Sequence, residues 1–173
     1  MSLHKDLLKQ SRQLAMHEPR RPRQASLRRS VSTAYYALFH LLVDAACREV
    51  VSGGPEVEAL RQQVGRACSH SDMKKACQAF ARWNSGSPPR PLDGLLPESP
   101  DARVMTVADA FIELQQARHD ADYDLSSRFS RTDVLAHVGL AESAFQEFHS
   151  MRRSEWQRRV FLMALVFHGR WKR

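Results

Sequence analysis

The spacing of apolar residues along the chain predicts an all-helical protein. The clearest pattern covers residues 26–51, where apolar side chains recur three or four positions apart: Leu27, Val31, Ala34, Tyr35, Leu38, Leu42 and Ala45. Similar spacing predicts one helix over residues 3–17, one or two over 56–83 and another over 101–124. The alternating runs that are typical of strands do not occur. We therefore expect an all-α fold, an up-and-down antiparallel bundle of four to five helices with an extended C-terminal helix.

Turn and capping residues divide this helical pattern. Residues 84–101 contain five of the eight prolines and predict an irregular loop, in which Leu92, Leu95 and Leu96 suggest partial packing. Ser130 and Asp133 have capping-box spacing and predict the start of a helix, so the chain ends in one very long helix or in two. We expect residues 1–150 to form the bundle and residues 151–173 to form a basic amphipathic helical extension.

Composition and charge narrow the class of protein. Of the 173 residues, 43% are hydrophobic and 26% are charged, which is ordinary for a globular protein. The net charge is +7, and basic residues concentrate in residues 18–29 and 151–173. Such clusters favour salt-dependent binding of nucleic-acid phosphates, although a solvated surface that aids solubility is the alternative interpretation.

The sequence favours neither a membrane span nor a metal centre. No apolar run is long enough to cross a bilayer and no signal peptide is evident, so we expect a cytoplasmic protein. Its three cysteines are too few for a disulfide framework. Cys68, His70 and Cys77 do not match a common zinc spacing, and we predict neither a metal nor a cofactor.

A polar cluster near the end of the helix predicted over 101–124 supplies the candidate chemistry. Arg118 continues the apolar stripe of that helix, and Asp122, four residues later, shares its face. His119 and Tyr123 point in other directions on an ideal helix. The pair therefore predicts either an internal ion pair that also contacts Tyr35, Tyr36 or Ser32, or a site for an anionic ligand.

Two stretches of the sequence together resemble a known family. Residues 26–46 read SLRRSVSTAYYALFHLLVDAA, and residues 114–125 read LQQARHDADYDL. The Ser-x-x-Tyr-Tyr-Ala-x-Phe-His and Arg-His-x-Ala-Asp-Tyr-Asp segments are similar to the paired signature of the HEPN superfamily, and in particular to the small prokaryotic HEPN proteins found beside nucleotidyltransferases. The resemblance covers roughly residues 3–150.

The resemblance implies a homodimer of helical bundles with a role in RNA or nucleotide biology. Many such proteins are metal-independent ribonucleases in toxin–antitoxin or defence systems, in which an arginine and a histidine four to six residues later form the active site. Arg118 matches that arginine, but Tyr123 stands five residues after it, and after the adjacent His119 no histidine follows until His137. Because tyrosine is a poorer base than histidine at neutral pH, this departure favours a binding module over a nuclease.

Three functions therefore remain open at this stage. The first is an RNA- or nucleotide-associated binding or partner module, with a nucleotidyltransferase as a possible protein partner. The second is a metal-independent endoribonuclease at a dimer cleft, and the third is a structural adaptor without a nucleic-acid role. The candidate catalytic residues are Arg118, Asp122, Tyr123 and His119. The candidate ligand- or phosphate-binding residues are Arg118, Tyr35, Ser32, Arg28 and Arg29.

Overall fold

The computed structural model describes residues 2–83, 87–89, 92–96 and 99–170, and within these ranges it is all α-helical. The helices, in chain order, are α1 (Leu3–Met16), α2 (Gln24–Val50), α3 (Glu58–Ala67), α4 (His70–Ala81), α5 (Ala102–Tyr123), α6 (Arg131–Ser150) and α7 (Trp156–Phe167). Short 3-10 helices cover Pro55–Val57 and His168–Arg170. The predicted all-α class is confirmed. The described part of the chain has seven α-helices instead of the expected four to five, and residues 56–83 and the C-terminal stretch each form two, which was one of the alternatives for each.

Local sequence signals account for several of these boundaries. The long helix α2 ends before Gly53, whose φ of 137° favours glycine, and Arg61 donates hydrogen bonds to the carbonyls of Val51, Gly53 and Gly54 at that end. At the start of α6, the backbone N–H of Asp133 donates to Ser130 Oγ and the backbone N–H of Ser130 donates to Asp133 Oδ2. The predicted capping box is therefore confirmed.

The described residues form two compact units, and long helices contribute to both. The first unit combines residues 1–41 with 110–146, and the second combines residues 42–109 with 147–173. This grouping places α7 with α3 and α4, and the expected extension over residues 151–173 stays a prediction.

In the first unit, α1, the first part of α2, the last part of α5 and the first part of α6 pack around a shared core. Its buried members come from all four helices: Ala15, Leu27, Val31, Ala117, Ala121 and Val134. On α2, Ser32 contacts Asp122 of α5, and Tyr35, which comes later in α2, contacts Phe111, which comes earlier in α5. The two helices are therefore antiparallel, as an up-and-down bundle requires.

In the second unit, α7 packs against α4. The rings of Phe80 and Phe161, both fully buried, meet edge to face with their centroids 5.1 Å apart. Leu92 and Leu96 are buried, whereas Leu95 is 42% exposed, so the expected packing of the proline-rich loop holds for two of its three leucines. Residues 84–86, 90–91 and 97–98 of that loop lie outside the described residues.

Candidate functional site

The predicted pair of Arg118 and Asp122 is an ion pair in the last turns of α5. Arg118 Nε lies 2.7 Å from Asp122 Oδ2, and the side chains are 20% and 26% exposed. Although it is buried, Nε makes no well-aligned hydrogen bond, so the contact is electrostatic rather than a directed hydrogen bond. The pair is present as predicted, but it lies at the edge of the core.

The same carboxylate joins α5 to α2. Ser32, which is buried on α2, donates a hydrogen bond from Oγ to Asp122 Oδ1. The two oxygens of Asp122 therefore have different partners, a hydroxyl on one helix and a guanidinium on its own helix. Because each partner restricts the carboxylate, Asp122 holds the arginine in a defined position relative to α2.

Two phenol rings surround the guanidinium of Arg118. Its Nη2 atom donates to the hydroxyl of Tyr36 at 3.2 Å and, more weakly, to that of Tyr123 at 3.5 Å. The guanidinium carbon lies 5.6 Å and 5.3 Å from the centroids of the same two rings. Burial alone lowers the pKa of Arg118, but Tyr36 and Asp122 more than offset that effect and raise it. The arginine is therefore a permanent cation.

His119 lies beside this cluster although it points away from the helix face that carries Arg118. Its ring centroid is 5.2 Å from that of Tyr123, a residue that is 62% exposed. Tyr123 thus contacts the arginine on one side and the imidazole on the other. The structure brings together four of the residues that the sequence selected: Arg118, Asp122, Tyr123 and His119. Ser32 joins them from α2.

Arg28 occupies a different environment, at the C-terminal end of α5. Its guanidinium donates to the carbonyls of Ala121 at 2.7 Å, Asp124 at 2.8 Å and Ser127 at 2.6 Å, with a longer contact to Asp120. Ala121 lies in the last turn of α5, and Asp124 and Ser127 follow the helix, so Arg28 supplies donors to carbonyls at this end and counters the negative end of the helix dipole. In the described structure, Arg28 therefore caps α5.

Tyr35 and Arg29 lie apart from the charged pair. Tyr35 is completely buried, and its ring is 5.5 Å from that of Phe111. Arg29 is exposed and lines a groove of about 380 Å³ between α1 and α2, together with Tyr36 and His40. Burial lowers the pKa of His40, so this histidine favours its neutral form.

Tyr36 is a central residue of the site that was not among the site residues selected from the sequence, although it was considered as a contact of Arg118. Its hydroxyl contacts Arg118, and its ring lines the groove that contains Arg29. The adjacent pair Tyr35-Tyr36 indicates that a tyrosine of α2 contacts the arginine. Because both residues are tyrosines, the sequence does not indicate which of them does so. Only the rotation of α2 in the fold decides which ring faces the arginine and which enters the core.

Comparisons with known proteins give no family assignment. No family model and no solved structure matches the chain. The chain is 26% identical over 133 residues to a 5-methylthioadenosine/S-adenosylhomocysteine deaminase of Halalkalibacterium halodurans. That alignment covers 75% of this chain but 27% of the deaminase, so the chain spans about a quarter of the relative that it matches.

The described ranges, 2–83, 87–89, 92–96 and 99–170, contain no cluster of three or more His, Cys, Asp or Glu side chains placed to hold a metal ion. They also contain no helix that is long and apolar enough to cross a membrane.

Proposed function

We propose that this protein is a HEPN-like module that binds a phosphate group of RNA or of a nucleotide at Arg118 and does so without cleaving it. The observation that carries the proposal is the fixed position of this guanidinium, which Asp122, Tyr36 and Tyr123 contact at the end of α5. A preorganised arginine loses less conformational entropy on binding a phosphate than a mobile surface arginine does.

The contacts of Arg118 leave one edge of the guanidinium for a ligand. Nε faces Asp122, and Nη2 contacts the two phenols. Among the described residues Nη1 has no hydrogen-bond partner, and the side chain is 20% exposed. Arginine binds phosphate oxygens through such donors, and the exposed ring of Tyr123 offers an adjacent stacking surface for a base.

The proposal includes a second copy of the chain and a partner protein. The groove that contains Tyr36, His40 and Arg29 also exposes leucines of α1, and Leu3 is 57% exposed. A homodimer through this face would bring two copies of Arg118 together, as the HEPN resemblance implies. By the same resemblance, a nucleotidyltransferase of a toxin–antitoxin or defence system is the partner that we propose, in the cytoplasm.

A metal-independent endoribonuclease is the second candidate, and the position of His119 favours it. Its imidazole contacts the ring of Tyr123, which in turn contacts Arg118. Histidine can transfer a proton near neutral pH, and Arg118 would stabilise the charge that develops on the phosphate. In this alternative Arg118, Asp122, Tyr123 and His119 act as the catalytic set.

Cleavage and binding of end-labelled RNA in EDTA would separate these functions. Wild type, Arg118→Gln and the control Arg66→Gln, which changes an exposed arginine on α3, are compared. The proposal predicts RNA that stays intact and is bound, with affinity reduced about tenfold or more by Arg118→Gln and unchanged by the control. Cutting that Arg118→Gln abolishes would establish the nuclease instead.

Competing ligands test which chemical group is bound. AMP carries adenine and a phosphate. The compound 5-methylthioadenosine, which appears in the name of the partly matching deaminase, carries adenine without a phosphate. Binding through Arg118 predicts that AMP displaces RNA and 5-methylthioadenosine does not. Equal displacement by both compounds would mean that the base, and not the phosphate, determines binding. No binding of RNA or AMP by a folded protein would leave the structural adaptor as the remaining function.

A further inference from the structure

Arg158, in the first turn of α7, is a buried cation that has no counter-charge of its own among the described residues. The residue is 8% exposed, and its guanidinium carbon lies 4.7 Å from the centroid of the Phe148 ring. Its Nε atom is buried and makes no hydrogen bond. Within the described part of the chain, Arg158 has no hydrogen-bond acceptor and no ion-pair partner. A ligand would meet the residue at this small exposed fraction.

The acidic residues near Arg158 already pair with other arginines. Glu49 Oε1 lies 2.6 Å from Arg159 Nε, and Glu155 Oε2 lies 2.5 Å from Arg103 Nη2. Asp101 also pairs with Arg103, at 2.6 Å. Arg153 adds a further positive charge that acts on Arg158. Among the described residues, Arg158 is therefore the cation of this group without a paired carboxylate.

We propose that Arg158, supported by Arg153, forms a binding site for a phosphate group in the second compact unit. This site shares no residue with the Arg118 cluster and does not depend on the function proposed for it. The guanidinium lies over the Phe148 ring, and this contact restricts its movement, which favours recognition of an oxyanion.

Electrostatics explains why a ligand would be favoured here. A buried guanidinium without an acceptor is costly, and burial lowers the pKa of Arg158, since the neighbouring acids do not fully compensate. A bound phosphate would supply both the hydrogen-bond acceptors and the negative charge. An arginine kept only for structure would instead be expected to pair with a carboxylate, as Arg103 and Arg159 do.

Inorganic phosphate is the probe for this site. Calorimetric titration and thermal melting of the full chain are done in phosphate and in chloride of the same ionic strength, with wild type, Arg158→Met and Arg118→Gln. The proposal predicts that phosphate raises the melting temperature of wild type and of Arg118→Gln, and raises that of Arg158→Met by less, because that variant keeps the site at Arg118. Phosphate affinity should fall about tenfold or more in Arg158→Met. Methionine keeps the apolar packing on Phe148, so this variant should melt no lower than wild type in chloride.

Two outcomes would overturn the proposal. One is a wild-type melting temperature that phosphate does not raise beyond the effect of chloride. The other is an equal increase in Arg158→Met, because phosphate would then bind elsewhere; a loss of the increase in Arg118→Gln alone would identify the first site. A parallel titration with single-stranded RNA distinguishes the source of the phosphate, since only an RNA site predicts weaker RNA binding by Arg158→Met.

Discussion

Ser32 on α2 donates a hydrogen bond to Asp122 on α5, and this contact connects the two stretches of sequence that carry the HEPN resemblance. Asp122 in turn pairs with Arg118 across one helical turn. The position of the arginine therefore depends on Ser32, which lies 90 positions before Asp122 in the chain. This relationship makes the polar end of α5 a single arrangement of hydroxyl, carboxylate and guanidinium, and its stability and chemistry should be coupled.

Replacing Arg118 by alanine should lower the free energy of unfolding by about 1 to 2 kcal/mol. The cost is below the roughly 3 to 5 kcal/mol of a fully buried pair because both side chains keep some contact with water. Denaturant unfolding of Arg118→Ala, Asp122→Asn and the double variant measures it. We expect the double variant to lose about 1 kcal/mol less than the sum of the single losses. Strictly additive losses would show that the ion pair does not contribute.

Arg28 and Arg29 form a matched pair of neighbouring arginines with different roles. Arg28→Gln should destabilise the protein by about 2 kcal/mol, since it removes charge-assisted hydrogen bonds to carbonyls at the end of α5. Arg29→Gln changes an exposed side chain and should stay within about 0.5 kcal/mol of wild type. Chemical denaturation of both variants checks this difference. Equal stabilities would refute the capping role of Arg28.

The turn after α5 should contribute stability that disappears in acid. Hydrogen bonds from Ser126 and Ser127 lower the pKa of Asp124 in the folded state. A lowered folded pKa gives stability that is present above the unfolded value of about 3.9 and is lost as the pH falls below it. The difference in melting temperature between wild type and Asp124→Asn should therefore shrink from pH 7 to pH 3. A constant difference would contradict the shift.

Helix α7 should be required for the second unit and not merely attached to it. Phe161→Ala should cost about 3 to 5 kcal/mol, because the ring is fully buried against Phe80. Arg152→Ala, an exposed change just before α7, should cost less than about 0.5 kcal/mol. Thermal unfolding by circular dichroism compares them. A melting curve of Phe161→Ala that matches wild type would indicate that α7 is only loosely attached.

The sequence predicts those features that depend on local spacing. Four positions separate Arg118 from Asp122 and three separate Ser130 from Asp133, so helical geometry alone places each pair in contact. The hydrogen bond between Ser32 and Asp122 depends on the packing of two helices, and no local pattern predicts it. The same holds for Arg28, whose acceptors are backbone carbonyls of another helix. Backbone carbonyls are present at every residue and leave no signature in the sequence.

The ionic-strength dependence of RNA binding tests the role of Arg118 most directly. Fluorescence anisotropy of a labelled single-stranded RNA, measured over a range of salt concentrations, gives the slope of log K against log salt for wild type, Arg118→Gln and Arg66→Gln. Our account predicts weaker binding and a slope smaller in magnitude by about 1 for Arg118→Gln alone, as expected for the loss of one phosphate contact. The same affinity and slope in wild type and Arg118→Gln would contradict a phosphate site at Arg118.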